Sequence, residues 1–277
     1  VRGALGWNAP VLIDQEGGRV QRLKPPICPA YPPVRVYGDL YARDRSAGLE
    51  ACRLGTRLIA CDLHGLGIDV DCLPLVDVPV EGAHDIIGDR AYATRPDVVS
   101  RFGGAAIEAL LAGGVLPVIK HIPGHGRARA DSHLALPVVE ASWDDLVSSD
   151  FMPFGALNDC PLAMTAHVVY TAIDADRPAT TSRDVIERVI RHAIGYDGCL
   201  MSDDLSMRAL SGGLGDRAVA AIAAGCDLAL HCNGHLDEMD AVAEAVPVLS
   251  GPALARADRA LAARRTPEEF DVAQARA

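Results

Sequence analysis

Aromatic side chains are scarce in this sequence. Phe, Trp and Tyr make up 4% of its 277 residues, whereas hydrophobic residues as a whole make up 49%. A chain of this length is typical of one large α/β domain or two modest ones. Its core must therefore be aliphatic, built from Val, Leu, Ile and Ala.

Basic runs and long apolar runs are missing as well. The formal net charge is −11, and no cluster of Lys or Arg indicates a nucleic-acid-binding surface. No apolar stretch approaches the roughly 20 residues of a membrane span, and no secretory signal peptide is visible. We therefore expect a cytoplasmic monomer with neither nucleic acid nor membrane among its partners.

Paired cysteine motifs are also absent. The eight cysteines are spread from Cys28 to Cys232 without a C-x-x-C pair, and several lie inside apolar runs such as GCLM and GCDLAL. This pattern predicts small buried thiols in a reducing compartment.

Short strand-like runs alternate with longer amphipathic stretches. Helical periodicity predicts helices over residues 97–114 and 182–195, the second beginning at a capping Ser182 and ending at Gly195. The predicted strands cover residues 10–14, 67–78, 114–121, 161–167, 198–204 and 226–232. The run 67–78 is too long for one clean strand. Repeated strand–loop–helix units predict a parallel sheet covered by helices.

Nearly every predicted strand ends in a polar or ionisable residue. In a (β/α)8 barrel such residues converge on one mouth, whereas an open sheet concentrates its site at one switch point. The strand-end residues are Asp14, Asp77, Lys120, His121, His167, Asp203, Asp204, His231 and Asn233. The pattern favours a TIM-type barrel as a single catalytic domain over residues 1–277.

The segment KHIPGHGRARADSH, residues 120–133, holds three of the nine histidines. Asp131 lies two residues before His133, so its carboxylate can orient and charge the imidazole, as a general acid/base requires. A metal cluster is the alternative, but Lys120 would repel a divalent cation and the spacing matches no ligand motif. We expect no metal and no cofactor, and His125 is expected to shape the loop.

Two further segments carry strand-end carboxylates. In MSDDLSM, Asp203 and Asp204 either cap a following helix or serve catalysis, or Asp204 caps while Asp203 faces the mouth. In DQEGGRVQRL, Arg19 and Arg22 at i, i+3 would share a face if that segment were helical, and an ordinary turn with solvated arginines is the alternative. No G-x-G-x-x-G fingerprint follows this strand.

Eight segments together resemble the family-3 glycoside hydrolases, and within them the bacterial β-N-acetylglucosaminidases of peptidoglycan recycling. They run in family order over residues 11 to about 233: IDQEGGRVQRL, GIDVDCLPLVDV, IIGDRAY, KHIPGHG, ADSH, AMTAHVVY, MSDDLSM and AGCDLALHCN. Ile122 replaces the usual Phe. The family has one more strand and helix before IDQEGGRV, so the barrel is expected to lack its first strand and helix in this chain.

The resemblance implies a retaining hydrolase that acts on terminal β-linked N-acetylglucosamine in muropeptide fragments. Asp203 would be the nucleophile, and His133, paired with Asp131, would be the acid/base. The residues that would hold the sugar are Asp14, Arg22, Arg90, Lys120 and His121. His167 could contact the substrate or be structural. Another family-3 activity, β-glucosidase or phosphorylase, and an inactive sugar-binding relic are the alternatives.

Overall fold

A curled parallel sheet forms the centre of the protein, whose computed structural model describes residues 2–276. Its six strands lie in chain order, each beside its sequence neighbours. They are β1 (Leu12–Ile13), β2 (Val70–Asp71), β3 (Leu116–Ile122), β4 (Leu162–Thr165), β5 (Cys199–Asp204) and β6 (Leu228–Leu230). All six predicted strands are confirmed. Within 67–78 only Val70–Asp71 is regular strand, and Leu75 adds an isolated bridge to Lys120.

Five short strands lie outside this sheet. Gln15–Gly17 and Val20–Gln21 form an antiparallel hairpin directly after β1. The other three form a small sheet, in the order Val138–Val139, Val169–Tyr170 and Asp174–Pro178. Its first strand follows the segment 120–133 in the chain and pairs with Val169–Tyr170, which follows β4.

Helices cover the outer face of the sheet. The predicted helix over 97–114 is observed as Pro96–Ala112, and the one over 182–195 as the π-type helix Val185–Ala193. Ser182 Oγ accepts a hydrogen bond from the Val185 N–H at 3.2 Å, as its capping role requires. The remaining helices are Arg2–Leu5, Arg35–Arg43, Arg45–Gly65, Gly88–Arg90, Trp143–Asp145, Leu146–Asp150, Met152–Ala156, Ala179–Thr181, Leu214–Ala224, Leu236–Ala245, Gly251–Ala262 and Val272–Arg276.

Alternate residues of the strands meet inside the curl. The inner cluster contains Val70, Cys72, Leu116, Val118, Leu162, Met164, Cys199 and Met201. Leu12 of β1 and Leu228 of β6 pack against the same cluster, although β1 and β6 are the two edges of the sheet. Both edges therefore face one interior, which is the arrangement of a TIM-type barrel. The predicted fold class is confirmed.

Helix Gly251–Ala262 lies across the N-terminal ends of the strands. Arg256 pairs with Asp197, before β5, and with Asp227, before β6, both at 3.1 Å. Just past the helix, Arg264 pairs with Asp69, before β2, at 2.8 Å. Ala260 packs into the inner cluster. The helix therefore closes the bottom of the barrel and leaves the C-terminal ends of the strands open.

The thiols are buried as expected in six of eight cases. All eight cysteines are free, and Cys28, Cys52, Cys72, Cys160, Cys199 and Cys226 are buried. Cys61 is half-buried and Cys232 is exposed, so for these two the prediction of burial is wrong.

None of the helices between residues 2 and 276 combines the length and apolar character that crossing a bilayer requires.

Candidate active site

The strand pleat directs charged side chains into the mouth of the barrel. Residues two apart on a strand point to the same face, and Val118 and Met201 belong to the inner cluster. Lys120 and Asp203 follow two residues later, and Asp14 stands in the same relation to Leu12. All three line one cleft of about 730 Å³ at the C-terminal ends of the strands.

The floor of this cleft is a buried network of charges. Lys120 Nζ lies 2.8 Å from Asp14 Oδ1 and 2.6 Å from Glu16 Oε1. Arg90 donates to both oxygens of Glu16 at 2.8 Å, and Arg22 pairs with Asp14 at 3.0 Å. The side chains of Lys120 and Glu16 are each only 2% exposed. Two cations therefore share one buried carboxylate, Glu16, which fixes their positions.

This network keeps its members ionised despite their burial. Lys120 and then Arg22 hold the pKa of Asp14 well below its usual range, against the opposing effect of burial. Burial raises the pKa of Glu16, but Lys120 and Arg90 outweigh burial and lower the value to about 2. Burial lowers the pKa of Lys120, but Asp14 and Glu16 outweigh it and raise the value. The floor therefore presents fixed full charges at neutral pH.

Asp77, at the end of the predicted strand 67–78, holds the start of the 120–133 segment. Its Oδ2 accepts from His121 Nδ1 at 2.7 Å, and its Oδ1 accepts from the backbone N–H groups of His121 and His125 at 3.2 and 2.6 Å. Burial opposes ionisation, but the two histidines outweigh it, so the pKa of Asp77 is lowered. Because a carboxylate only accepts, Nδ1 of His121 carries its proton and Nε2 is the nitrogen available at the cleft.

Asp203 lies at the end of β5 and faces the floor network. Burial raises the pKa of its carboxyl, but His121, His167, the Asp204 N–H and Lys120 together outweigh burial and lower it. The Asp204 N–H donates to Asp203 Oδ1 at 2.8 Å. Asp203 is therefore an ionised carboxylate whose position is fixed on a strand.

Asp204 and His167 hold this strand end through further hydrogen bonds. Asp204 accepts from the N–H and Oγ of Ser206 at 3.0 and 2.7 Å, so it caps a turn. The following helix begins only at Leu214, and the alternative that these aspartates cap it directly is wrong. His167 is fully buried, with Nε2 3.0 Å from the Asp204 carbonyl and Nδ1 2.7 Å from Thr180 Oγ1. These contacts favour the structural alternative for His167.

Of the two alternatives for Arg19 and Arg22, the shared helical face is wrong, because the segment is a turn. Gly17 and Gly18, with φ of +93° and +56°, turn the chain into the hairpin after β1. A Cβ on Gly17 would lie 2.5 Å from the Pro32 carbonyl oxygen, so only glycine fits there. Arg22 points back to Asp14, while Arg19 pairs with Asp85 at 3.2 Å. The hairpin thereby returns Arg22 to the cleft.

Asp131 and His133 form the predicted pair, and His133 lines the cleft. Asp131 Oδ1 accepts from His133 Nδ1 at 2.8 Å and from its backbone N–H at 2.9 Å. Partial burial raises the pKa of Asp131, but these two hydrogen bonds outweigh burial, and the pKa is lowered. The imidazole is 58% exposed. Its Nδ1 carries the proton donated to Asp131, so Nε2 is left for proton exchange at the cleft.

One cleft brings together seven of the eight residues predicted to act in catalysis or to hold the sugar. It is lined by Asp14, Arg22, Arg90, Lys120, His121, His133 and Asp203, and Asp131 contacts it through His133. Sequence reasoning missed Glu16 and assigned no role to Asp77 or Ser132. No local pattern marks Glu16, because its partners Arg90 and Lys120 lie far along the chain.

Among residues 2–276 no group of three or more His, Cys, Asp or Glu side chains is arranged to hold a metal ion.

A TIM-type barrel with a charged cleft at the C-terminal ends of its strands is the architecture of many enzymes. The family described as Glycosyl hydrolase family 3 N terminal domain matches residues 3–263. The Beta-hexosaminidase of Bordetella avium (strain 197N) is 36% identical over 237 residues, 84% of this chain and 67% of that protein. The Beta-hexosaminidase of Thiobacillus denitrificans is 38% identical over 255 residues, 90% of this chain and 70% of that protein.

Solved structures agree with these relatives. NagZ from Neisseria gonorrhoeae in complex with N-trifluoroacetyl-D-glucosamine superposes with a TM-score of 0.83 at 33% identity, covering 91% of this chain and 73% of that chain. The chain belongs to glycosyl hydrolase family 3 and is a glycoside hydrolase. It spans about two thirds of the length of the curated relatives it matches.

Proposed function

We propose that this chain is a retaining exo-β-N-acetylglucosaminidase that releases terminal β-linked N-acetylglucosamine from muropeptide fragments. The names of its relatives support the hexosaminidase activity, and a structural neighbour binds an N-acylated glucosamine. The observation that carries the proposal is the pairing of two groups on one cleft. Asp203 is an ionised carboxylate at a strand end, and His133 is an exposed imidazole oriented by Asp131.

In the first step Asp203 acts as the nucleophile. Its carboxylate oxygen bonds to the anomeric carbon while the bond from that carbon to the glycosidic oxygen breaks, with inversion. His133 in its imidazolium form gives the Nε2 proton to the departing oxygen, so the aglycone leaves as a neutral alcohol. Asp131 stabilises the imidazolium that this step requires, since its carboxylate accepts from Nδ1.

In the second step water replaces the carboxylate. Neutral His133 takes a proton from the water at Nε2, and the water oxygen bonds to the anomeric carbon as the ester bond to Asp203 breaks. The second inversion restores the β configuration. A histidine suits this exchange because an imidazole can both give and take a proton near neutral pH.

The floor network supplies the sugar contacts in this proposal. Two N–H bonds of Lys120 go to Asp14 and Glu16, which leaves the third to donate to a sugar hydroxyl. Asp14 is 32% exposed and accepts from hydroxyls, and His121 offers Nε2. Arg22 and Arg90 complete the charged rim of the cleft. The fixed geometry of these groups would orient the ring for attack by Asp203.

The test uses an aryl β-N-acetylglucosaminide with the purified chain, followed by NMR from the first seconds of reaction. We expect the β-anomer of N-acetylglucosamine to form first, since two inversions give retention. First formation of the α-anomer would exclude the double displacement, and no release at all would support the sugar-binding relic. A parallel reaction with inorganic phosphate separates hydrolysis from phosphorolysis, because a phosphorylase would release the sugar 1-phosphate.

The other expectations from the sequence stay predictions. These are the single catalytic domain, the monomeric state, the cytoplasmic location and the absence of a metal or cofactor requirement.

A further inference from the structure

In the loop that carries His133, a buried serine lies directly before the exposed imidazole. Ser132 lies between Asp131 and His133 and is 3% exposed, whereas the His133 imidazole is 58% exposed. Ser132 Oγ lies 3.1 Å from His125 Nε2. Both His125 and Ser132 line the same cleft as His133 and Asp203. The neighbouring residue of the proposed acid/base is therefore held from inside the protein.

His125 is itself firmly anchored. Its backbone N–H donates to Asp77 Oδ1 at 2.6 Å. The other oxygen of this carboxylate accepts from His121 Nδ1. Its ring packs edge-on against the His121 ring, with centroids 5.6 Å apart. His125 is 2% exposed. The contact from His125 to Ser132 thus connects the loop to the strand end on which the floor of the cleft is built.

The imidazole of His125 is buried in its neutral form. Burial lowers its pKa to about 4, followed by a smaller effect of His121, so the ring is neutral at neutral pH. Its Nδ1 is buried without a hydrogen-bond partner among residues 2–276, so the contact with Ser132 is the one polar contact of the ring there. Loss of this contact would therefore leave both Ser132 and the buried ring without the hydrogen bond that joins them.

We propose that His125 is a positioning residue, which holds Ser132 and through it directs His133 toward the glycosidic oxygen. This inference rests on the proposed function, because it assigns His125 a task in the work of the acid/base. A misplacement of a catalytic group by about 1 Å costs on the order of 100-fold in rate. Release of Ser132 should therefore impair proton transfer while leaving Asp203 in place on its strand.

The test compares Ser132→Ala and His125→Phe on two aryl β-N-acetylglucosaminides, one with a poor and one with an activated leaving group. We expect each variant to lose about 10- to 100-fold in kcat on the poor leaving group, which needs protonation. On the activated leaving group, the rate of the first step, formation of the glycosyl-enzyme, should fall by less than about 3-fold. The double variant should lose no more than His125→Phe alone, since both changes break one contact. Ser132→Thr, which keeps the hydroxyl, should restore activity.

A matched control is Ser182→Ala. Ser182 is equally buried and bonds Asp174 at 2.6 Å, but it does not line the cleft. Its loss should change stability without changing the ratio of rates on the two substrates. If His125→Phe does not fold, Ser132→Ala and Ser132→Thr still decide the question. Equal losses on both substrates, or no loss with Ser132→Ala, would overturn the inference.

His133→Ala, measured in parallel, separates this inference from the proposed function. If His133→Ala itself treats both leaving groups alike, the assignment of the acid/base is wrong. If His133→Ala discriminates between them and Ser132→Ala matches the wild type, the proposed function stands and His125 has no positioning role.

Discussion

On the floor of the cleft the charged groups are packed against one another, whereas on the His133 loop they face solvent. Lys120 and Glu16 are each 2% exposed and lie 2.6 Å apart. His133 and Asp131 are 58% and 20% exposed and are joined within a span of three residues. The floor therefore depends on tertiary packing, while the Asp131–His133 pair is largely formed by the local chain.

The difference matches two tasks in the proposed reaction. Groups that orient a sugar must not move or change charge, and burial against opposite charges ensures both. A group that gives and takes a proton needs access to water and a partner that stabilises its charged form. Substitutions on the floor should therefore affect stability as well as activity. Substitutions of Asp131 and His133 should affect mainly the two proton transfers.

The largest effect is expected at the proposed nucleophile, Asp203, which faces the floor. Asp203→Ala should reduce turnover by on the order of 10⁴-fold or more on every substrate, because no glycosyl-enzyme can form. Steady-state kinetics with poor and activated leaving groups measure this. Asp204→Asn is the matched control, since Asp204 caps a turn, and it should lose less than about 10-fold. Similar losses for both variants would remove the distinction between the two aspartates.

On the loop side, His133→Ala should depend on the leaving group. A poor leaving group should lose about 10²–10⁴-fold, the usual range for a missing general acid, whereas an activated aryl group should leave with little loss. Deglycosylation should slow as well, giving a burst of the aryl product in stopped-flow measurements. Azide needs no general base, so it should restore turnover as a β-configured glycosyl azide. Equal losses without azide rescue would place the acid elsewhere at the mouth.

Stability separates the floor from an exposed pair of the same kind. Glu16→Gln leaves Lys120 and Arg90 without their shared carboxylate and should cost about 3–5 kcal/mol, as expected for a broken buried ion pair. Glu187→Gln removes an exposed partner of Arg183 and should cost less than about 1 kcal/mol. Urea unfolding followed by circular dichroism gives both values. Equal costs would show that burial adds nothing to the floor network.

The smallest effects are two pH dependences of opposite sign at the base of the loop. The folded pKa of His125, about 4, lies below the unfolded value of 6.5. The contribution of His125 to the free energy of unfolding is therefore present above pH 6.5. This contribution, roughly 3 kcal/mol, is lost as the pH falls toward 4. Burial raises the pKa of Asp150 to about 6, although Arg127 opposes the rise. The contribution of Asp150 to the free energy of unfolding is therefore present below the unfolded pKa of 3.8 and is lost as the pH rises through 6.

Free energies of unfolding from pH 4 to 7 test both signs. The stability advantage of the wild type over His125→Gln should shrink as the pH falls from 6.5 to 4. The advantage of the wild type over Asp150→Asn should instead grow as the pH falls from 6 to 4. Parallel curves for wild type and both variants would contradict the two pKa shifts.

Much of the barrel was predictable because its pattern is local. Apolar runs that end in ionisable residues identified all six strands, and helical periodicity identified Pro96–Ala112 within two residues. The pair Asp131–His133 was predictable because its members are two residues apart. The segment after β1 was harder, since its arginine spacing fits a helix, while the left-handed Gly17 and Gly18 make it a hairpin.

The sequence by itself determined that Asp14, Lys120 and Asp203 reach the mouth, because the pleat of a strand places each of them two residues beyond an inner-face residue. Only the tertiary structure decided which partners they have. Glu16 joins Lys120 and Arg90, and Asp77 joins His121 and His125, across loops of many residues. Such pairs depend on how the strands curl around a common interior, which helix Gly251–Ala262 covers at the bottom. A linear pattern records the direction of a side chain, whereas its surroundings are set by packing.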